Sequence, residues 1–564
     1  MRTTTLLVVF VAALLAALLA ACAGGGHTTM TDRAPARAEL VLHGGRVLTM
    51  DPARPDATAI AVVAGRVAVV GSDADALAFV GPDTRVIDLA GRTVTPGLVD
   101  GHCHLFGLGR EFEQLSFRGL DSAGAVAAVV ARAAKTRPAG EWLLGRGWDQ
   151  NLWTPAEFPT RGLLDIAAPA HPVAIRRIDG HALWVNGAAL AAAAIDSRTS
   201  DPAGGRIVRD ARGEPTGVLI DNAADLVFAR LPPDSAEARA RQILAGATRA
   251  VAAGLTGVHE MGIDDATVAV YRKLVAEGRL PLRVYAFLQG EGQLDTLAAR
   301  VPDRDPDGTA RFVLRAVKLY ADGALGSRGA ALLAPYADDP GNVGLVLATE
   351  AELAHAVDAA VASGWQLGVH AIGDRANRMV LDAFARAVGG DRRFRIEHAQ
   401  VVAPEDLGRF AALGVAAAMQ PTHATSDMAW ADERLGPARL VGAYAWRTLL
   451  ASGAHVIGGS DFPIEDVPPL LGLYAAVTRM DAKGNPPGGW LPDERLTLEQ
   501  ALSLYTVEPA WAAFAERQRG RIALGFVADL TVFDGPLAPD RSLLERQVDL
   551  TIVGGSVVYE RAAR

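Results

Sequence analysis

Between residues 94 and 460, short apolar runs that end in polar residues alternate with Ala-, Leu- and Arg-rich stretches of helical period. A parallel α/β architecture requires this rhythm, because each buried strand must be followed by a helix that covers it. Eight runs predict strands, at Val94–His102, Gly254–Glu260, Leu282–Phe287, Val313–Tyr320, Gln366–His370, Arg395–His398, Val415–Gln420 and His455–Ser460. Helices are predicted at Ser235–Ala253, Glu350–Ser363, Asp374–Val388 and Leu498–Tyr505. Eight strand–helix units give a TIM (β/α)8 barrel.

The flanks have another texture. Residues 39–94 hold short strand-like runs (Leu40–Leu42, Val47–Met50, Ala59–Val63, Arg66–Val70, Arg85–Asp88) separated by Gly and Asp-Pro turns, and residues 512–564 repeat the pattern with strands at Asp529–Phe533 and Leu550–Val558. Neither piece is large enough to stand alone, so both ends are expected to pair into one composite β-sandwich. The first barrel strand then occupies 95–105, and the rest of the barrel 232–511. The gap between them, residues 106–231, is too long for one crossover. It carries Gly-rich turns and four of the nine tryptophans, and is expected to be a subdomain capping the carboxyl ends of the strands. The alternative is a separate domain with its own core.

The amino terminus reads as an address. Arg2 gives a positive start, Leu6–Leu19 is an unbroken apolar run too short to span a bilayer comfortably, and Ala20-Ala21 precede Cys22. Leu19-Ala20-Ala21-Cys22 resembles the lipobox of bacterial lipoproteins. That implies a signal peptide over 1–21, cleavage before Cys22, acylation there, and export to the bacterial cell envelope with a membrane anchor. A plain secretory signal with a chance cysteine is the alternative. Residues 22–38 lack apolar periodicity and read as a flexible tether.

Composition narrows the classes. The formal charge of −9 excludes a general nucleic-acid binder, so the expected partner is a small molecule. Half the residues are hydrophobic and the 59 Gly and 31 Pro are dispersed, which excludes disordered and collagen-like chains. Cys22 and Cys103 alone cannot form a disulfide framework.

The candidate chemistry sits at strand ends. In His102-Cys103-His104, strand alternation turns both imidazoles to one face, where they can bind one divalent metal. His370 and His398 also close strands, and in a barrel all four would converge on one mouth. Asp461 follows the last strand, where a carboxylate facing histidines can ligate metal and shuttle a proton, although a turn-capping Asp is the ordinary alternative. Lys318 lies among apolar residues in a central strand. Burial lowers an ammonium's pKa, and the neutral amine can capture carbon dioxide as a carbamate that bridges two cations. His423 is placed to hydrogen-bond a substrate carbonyl. Glu260 and His259 either line the pocket or pair structurally, and no chemistry is assigned to His27, His43, His171, His355 or His455.

Pro96 to His104, Lys318 to Gly323, His370 to Ala376, Arg395 to Gln400 and Gly459 to Pro463 together resemble the amidohydrolase superfamily, specifically amidohydrolase family 3, the group that includes N-substituted formamide deformylase. The Gly520 to Ile522 and Ala528 to Leu530 segments also match. The resemblance implies a centre of one or two metal ions, zinc foremost, with His102 and His104 on the more buried ion and His370 and His398 on the more exposed one. Carboxylated Lys318 would bridge them, and Asp461 would complete the first site and act as acid/base. Trp148 and Asp149, with Asp179 and His181, resemble family segments near the substrate pocket; packing within the cap with a satisfied Asp or His is the alternative.

The expected reaction is hydrolysis of a C–N amide-type bond other than a peptide bond by a metal-bound hydroxide. Lactone, ester or amidine hydrolysis on the same centre is the alternative within enzymes. A non-catalytic solute-binding lipoprotein is the alternative outside them.

Overall fold

A computed structural model describes residues 37–290, 292–387 and 389–562. The expected leader, Cys22, His27 and most of the expected tether lie outside the described residues. Residues 38–564 form one compact unit.

Eight parallel strands build the barrel sheet: β1 (Leu98–Cys103), β2 (Leu255–Ile263), β3 (Arg283–Gln289), β4 (Phe312–Tyr320), β5 (Gln366–Ala371), β6 (Arg395–His398), β7 (Ala416–Met419) and β8 (Val456–Gly458). They pair in chain order, from β1 beside β2 through to β7 beside β8. These are near-continuous apolar runs because helices cover one face and the barrel interior the other. In β2, eight of nine residues are buried. Helix starts follow local chemistry: the Ser235 side chain accepts the Ala238 N–H, and Thr349 forms a capping box with Glu352.

The eighth strand meets the first through backbone and side-chain bonds. Asp461 N–H donates to His102 O (2.8 Å) and His104 N–H to Phe462 O (2.8 Å). The buried Asp100 carboxylate accepts the Ser460 hydroxyl at 2.6 Å, together with the amides of Ser460 and His102. Two glycines permit this approach: a Cβ on Gly101 would stand 2.2 Å from Ile457 Cγ2, and one on Gly459 would stand 2.7 Å from His102 N.

Both chain ends share a β unit. Its six-stranded sheet places Thr93–Pro96 beside Leu530–Phe533, antiparallel, and a four-stranded sheet is made from the amino-terminal segment alone. Leu40, Ile60 and Val62 from one end pack with Leu530, Leu550 and Ile552 from the other in one core. Arg283 on β3 ties this unit to the barrel through a two-pronged contact with Asp529 (2.7 and 3.0 Å).

Three local expectations change. The run Val94–His102 is two strands, since Thr93–Pro96 belongs to the β unit and the barrel begins after Gly97. Leu550–Val558 is a hairpin, because Gly554 and Gly555 adopt positive φ (60° and 79°) between Val548–Val553 and Ser556–Glu560. The helix from Asp374 ends at Phe384, its last buried apolar residue, rather than at Val388.

The insertion forms its own six-stranded sheet, running from Leu115–Ser116 to Gly205–Arg209, with two apolar clusters of its own. It also lines the cleft at the strand ends through Gly147, Asp149, Arg177, Asp179 and His181.

Candidate metal centre

β1 ends by turning the buried His102 inward, while Cys103 packs outward with Leu105 and Leu108. His104 follows at the start of the next helix. Both meet the carboxylate beyond β8, with Asp461 Oδ1 lying 3.5 Å from His102 Nε2 and 3.2 Å from His104 Nε2. On the other side His423 Nε2 lies 3.7 Å from Asp461 Oδ2. The His398 ring packs at 4.6 Å from His102 and 4.7 Å from His370, centroid to centroid. Lys318 lines the chamber that His104, His370, His398 and Asp461 share. The strand ends therefore bring His102, His104, Lys318, His370, His398 and Asp461 to one rim, and add His423.

Hydrogen bonds orient the rings. His102 Nδ1 donates to Glu397 Oε2 at 2.6 Å, His398 Nδ1 to Gln420 Oε1 at 2.9 Å, and His104 Nδ1 to the Met261 carbonyl at 3.1 Å. Each Nε2 is left as a lone pair, the form a metal ligand needs. His423 differs: Gln400 donates to its Nδ1 at 3.1 Å, which leaves the proton on Nε2. His370 Nε2 lies 3.4 Å from Gly323 O.

The donor set fits a divalent ion. His102 Nε2, Asp461 Oδ1 and His423 Nε2 are buried without a hydrogen-bond partner, a state native interiors avoid. Among the described residues, two triplets hold their ligand atoms within 4.8 Å of one another: His102, His104 and Asp461, and His398, His423 and Asp461. His370 keeps its ring 4.7 Å from that of His398 and 5.4 Å from that of His181, while the Nε2–H of His423 suits that ring to a carbonyl oxygen rather than to an ion.

Burial governs the protonation states. It pushes His102, His370 and His398 well below the usual imidazole range, so they are neutral. It brings the Lys318 ammonium down to about 8 against the opposing pull of Glu397 and Asp461. Burial alone would raise Asp461, but the imidazoles around it, His102 first and then His104 and His423, hold it below the ordinary carboxylate value. Asp461 and His398 also sit at positive φ (58° and 75°), the left-handed region that favours glycine.

The cap contributes polar residues to a cleft of about 390 Å³ in front of this cluster, whose floor includes Trp430. Asp149 and Asp179 both clamp Arg177 (2.5 Å each), and His181 Nδ1 lies 2.7 Å from Asp221. Trp148 is a correction. It is fully buried in the cap, gives its indole N–H to Ile175 O, and packs against Trp153 and Trp184. Strand alternation would have put it on the face of Arg146, but Gly147 (φ 103°) adds a residue to the strand and turns Trp148 to the other side. The cap tryptophans thus build its core rather than a substrate wall.

Glu260 and His259 have structural partners. The Glu260 carboxylate accepts the amides of Leu105 and Phe106, while His259 Nδ1 faces Arg395 at 2.8 Å. Sequence reasoning missed Glu397, Arg395, Gln400, Gln420 and Asp100. Arg395-Ile396-Glu397 carried a signal: opposite charges two apart on an apolar strand share a face, and here they form a fully buried pair at 2.9 Å.

A parallel eight-stranded barrel with paired histidines and an aspartate at its carboxyl rim defines the class of metal-dependent hydrolases. The chain belongs to the amidohydrolase family, whose profile matches residues 85–559. It is 36% identical over 536 residues to YtcJ of Bacillus subtilis, covering 93% of this chain and 99% of that protein. It is 30% identical over 551 residues to an N-substituted formamide deformylase of Arthrobacter pascens, covering 93% and 98%. A metal-dependent hydrolase from Pyrococcus horikoshii superposes with a TM-score of 0.73 at 27% identity, over 88% of this chain and 97% of that one.

Proposed function

We propose that the protein hydrolyses a C–N bond of amide type, other than a peptide bond, in a small N-formyl or N-acyl amine or a cyclic amide. The observation that carries the reading is the meeting of His102 Nε2, Asp461 Oδ1 and His423 Nε2, buried and unpartnered, at the mouth of one barrel. The similarity to an N-substituted formamide deformylase over almost the full length of both chains supports the bond type.

His102, His104 and Asp461 would hold one divalent ion, zinc foremost, and His370 and His398 a second, with Lys318 as the carbamate bridge. A bound ion lowers the pKa of water and polarises a carbonyl. Asp461, ionised beforehand, accepts the proton of the attacking water. As the water oxygen bonds to the carbonyl carbon and the C–N bond breaks, Asp461 returns that proton to the leaving nitrogen. His423 presents its Nε2–H to the carbonyl oxygen, where negative charge develops. At Lys318 the neutral amine adds to carbon dioxide and loses a proton to water.

Metal analysis of the purified protein, followed by a panel of N-formyl amines, N-acyl amines, cyclic amides and matched esters and lactones, tests the assignment. Chelator-reversible amide hydrolysis is the expected result. Metal-free protein without hydrolysis would sink it, and turnover of esters and lactones alone would move the bond type. Acylation and export belong to the same proposal. Radiolabelled palmitate should enter the full chain and be absent from Cys22→Ser.

A further inference from the structure

Beside the cleft is a second chamber of about 260 Å³, whose lining includes Lys318, Asp461, Asp179, His181, Arg146 and Arg176. The two arginines are direct cross-strand partners in the cap sheet, on Leu143–Trp148 and Val173–Arg177. Residues opposed in this way share a face, and like charges so placed repel. Arg177, one residue on, is neutralised by Asp149 and Asp179. Arg146 and Arg176 have no such ion pair among the described residues. Arg146 is 9% exposed and gives one N–H to Ile178 O, while its Nε is buried without a partner. Arg176 stacks on the Phe228 ring at 4.1 Å, which occupies the guanidinium face and leaves its N–H edge. Burial brings Arg176 down to about 10, and Arg146 acts in the same direction, yet both remain cations at neutral pH.

Two guanidiniums on one face without a close ion pair, with an orphaned donor and a cavity in front, form a fork for a planar anion that outcompetes the more distant Asp179, Asp461, Glu111 and Asp225. We propose that Arg146 and Arg176 form a carboxylate subsite in this chamber, which receives a small carboxylate from the acyl side of the substrate. This inference rests on the hydrolase reading, because the chamber shares His370, His398 and Asp461 with the cleft, so a carbonyl held at those residues reaches both cavities. The carboxylate is either already borne by the acyl group or created when the bond is cut.

Isothermal titration of the purified protein with sodium formate, acetate and succinate, with sodium chloride as control, tests the subsite. Arg176→Met should weaken carboxylate binding about 10- to 100-fold, the scale of a lost charge-assisted contact, and Arg176→Lys should weaken it less. Metal content and circular dichroism should stay at wild-type values, which separates the effect from misfolding of the kind Arg146→Met risks. Formate and acetate binding as tightly as succinate identifies the acid released by cleavage, whereas succinate binding alone identifies a carboxylate carried by the substrate. No carboxylate binding to the wild type, or equal binding by wild type and Arg176→Met, overturns the subsite even where metal and hydrolysis persist. A wild type without metal overturns the hydrolase reading while the titrations still judge the arginines.

Discussion

His102 Nδ1 donates to Glu397 Oε2 across 2.6 Å in a part of the barrel that excludes solvent from both side chains. Glu397 is in turn held by Arg395, which also donates to the Gly101 carbonyl at 2.7 Å. The chain of contacts runs from the backbone of β1 through Arg395 and Glu397 back to the candidate ligand His102 on the same strand. It fixes the tautomer and the direction of the imidazole before any ion arrives.

Glu397→Gln should therefore lower metal affinity about 10- to 100-fold with the fold retained. Competition against a chelator measures the affinity and circular dichroism checks the fold. Unchanged affinity would remove Glu397 from this role.

Asp461→Asn should cut kcat by about two to four orders of magnitude, the scale of a lost general acid/base, and do so more than it lowers bound metal. Steady-state rates beside metal content per chain read both. Near-normal turnover would take Asp461 out of the proton transfer.

Gly101→Ala should destabilise the protein by about 1–3 kcal/mol, because its Cβ would meet Ile457 Cγ2 at 2.2 Å where β8 approaches β1. Gly408→Ala is the control: it lies in the helix Leu407–Leu413 with open space around it, and should gain a few tenths to about 1 kcal/mol. Urea denaturation of both variants decides.

Acid should loosen the join between barrel and β unit. Burial alone would raise the Asp529 carboxyl, but Arg283 against it holds its pKa below the ordinary value. A depressed folded pKa gives stability that is complete above the unfolded value of about 3.9 and is lost as pH falls through the folded one. The difference in urea midpoint between wild type and Asp529→Asn should be constant near neutrality and shrink below about pH 4. A pH-independent difference would count against the ion pair.

The barrel was legible because strands buried on both faces cannot hide among polar residues, as Leu255–Ile263 illustrates. The rim histidines were legible because each closes such a run. What could not be read was whatever depends on one extra residue or on ring depth. Gly147 shifts the face of every residue after it in its strand, so the sequence suggested a substrate wall at Trp148 where there is cap core. How near each rim imidazole comes to Asp461 is likewise not encoded by spacing along the chain: His423, in the helix Pro421–Asp427, brings its Nε2 to 3.7 Å. Glu397 was readable in principle from its place two residues after Arg395 on a single apolar strand.

The pairing of Thr93–Pro96 with Leu530–Phe533, and the bond between Leu98 N and Thr531 Oγ1 across 433 positions, have a consequence for biogenesis. Loop closure over such a span comes late, so the emerging polypeptide cannot complete the six-stranded sheet that its two ends share until its final segment leaves the ribosome. The sheet that both ends share is therefore among the last parts of the molecule to be completed, in whichever compartment the chain folds.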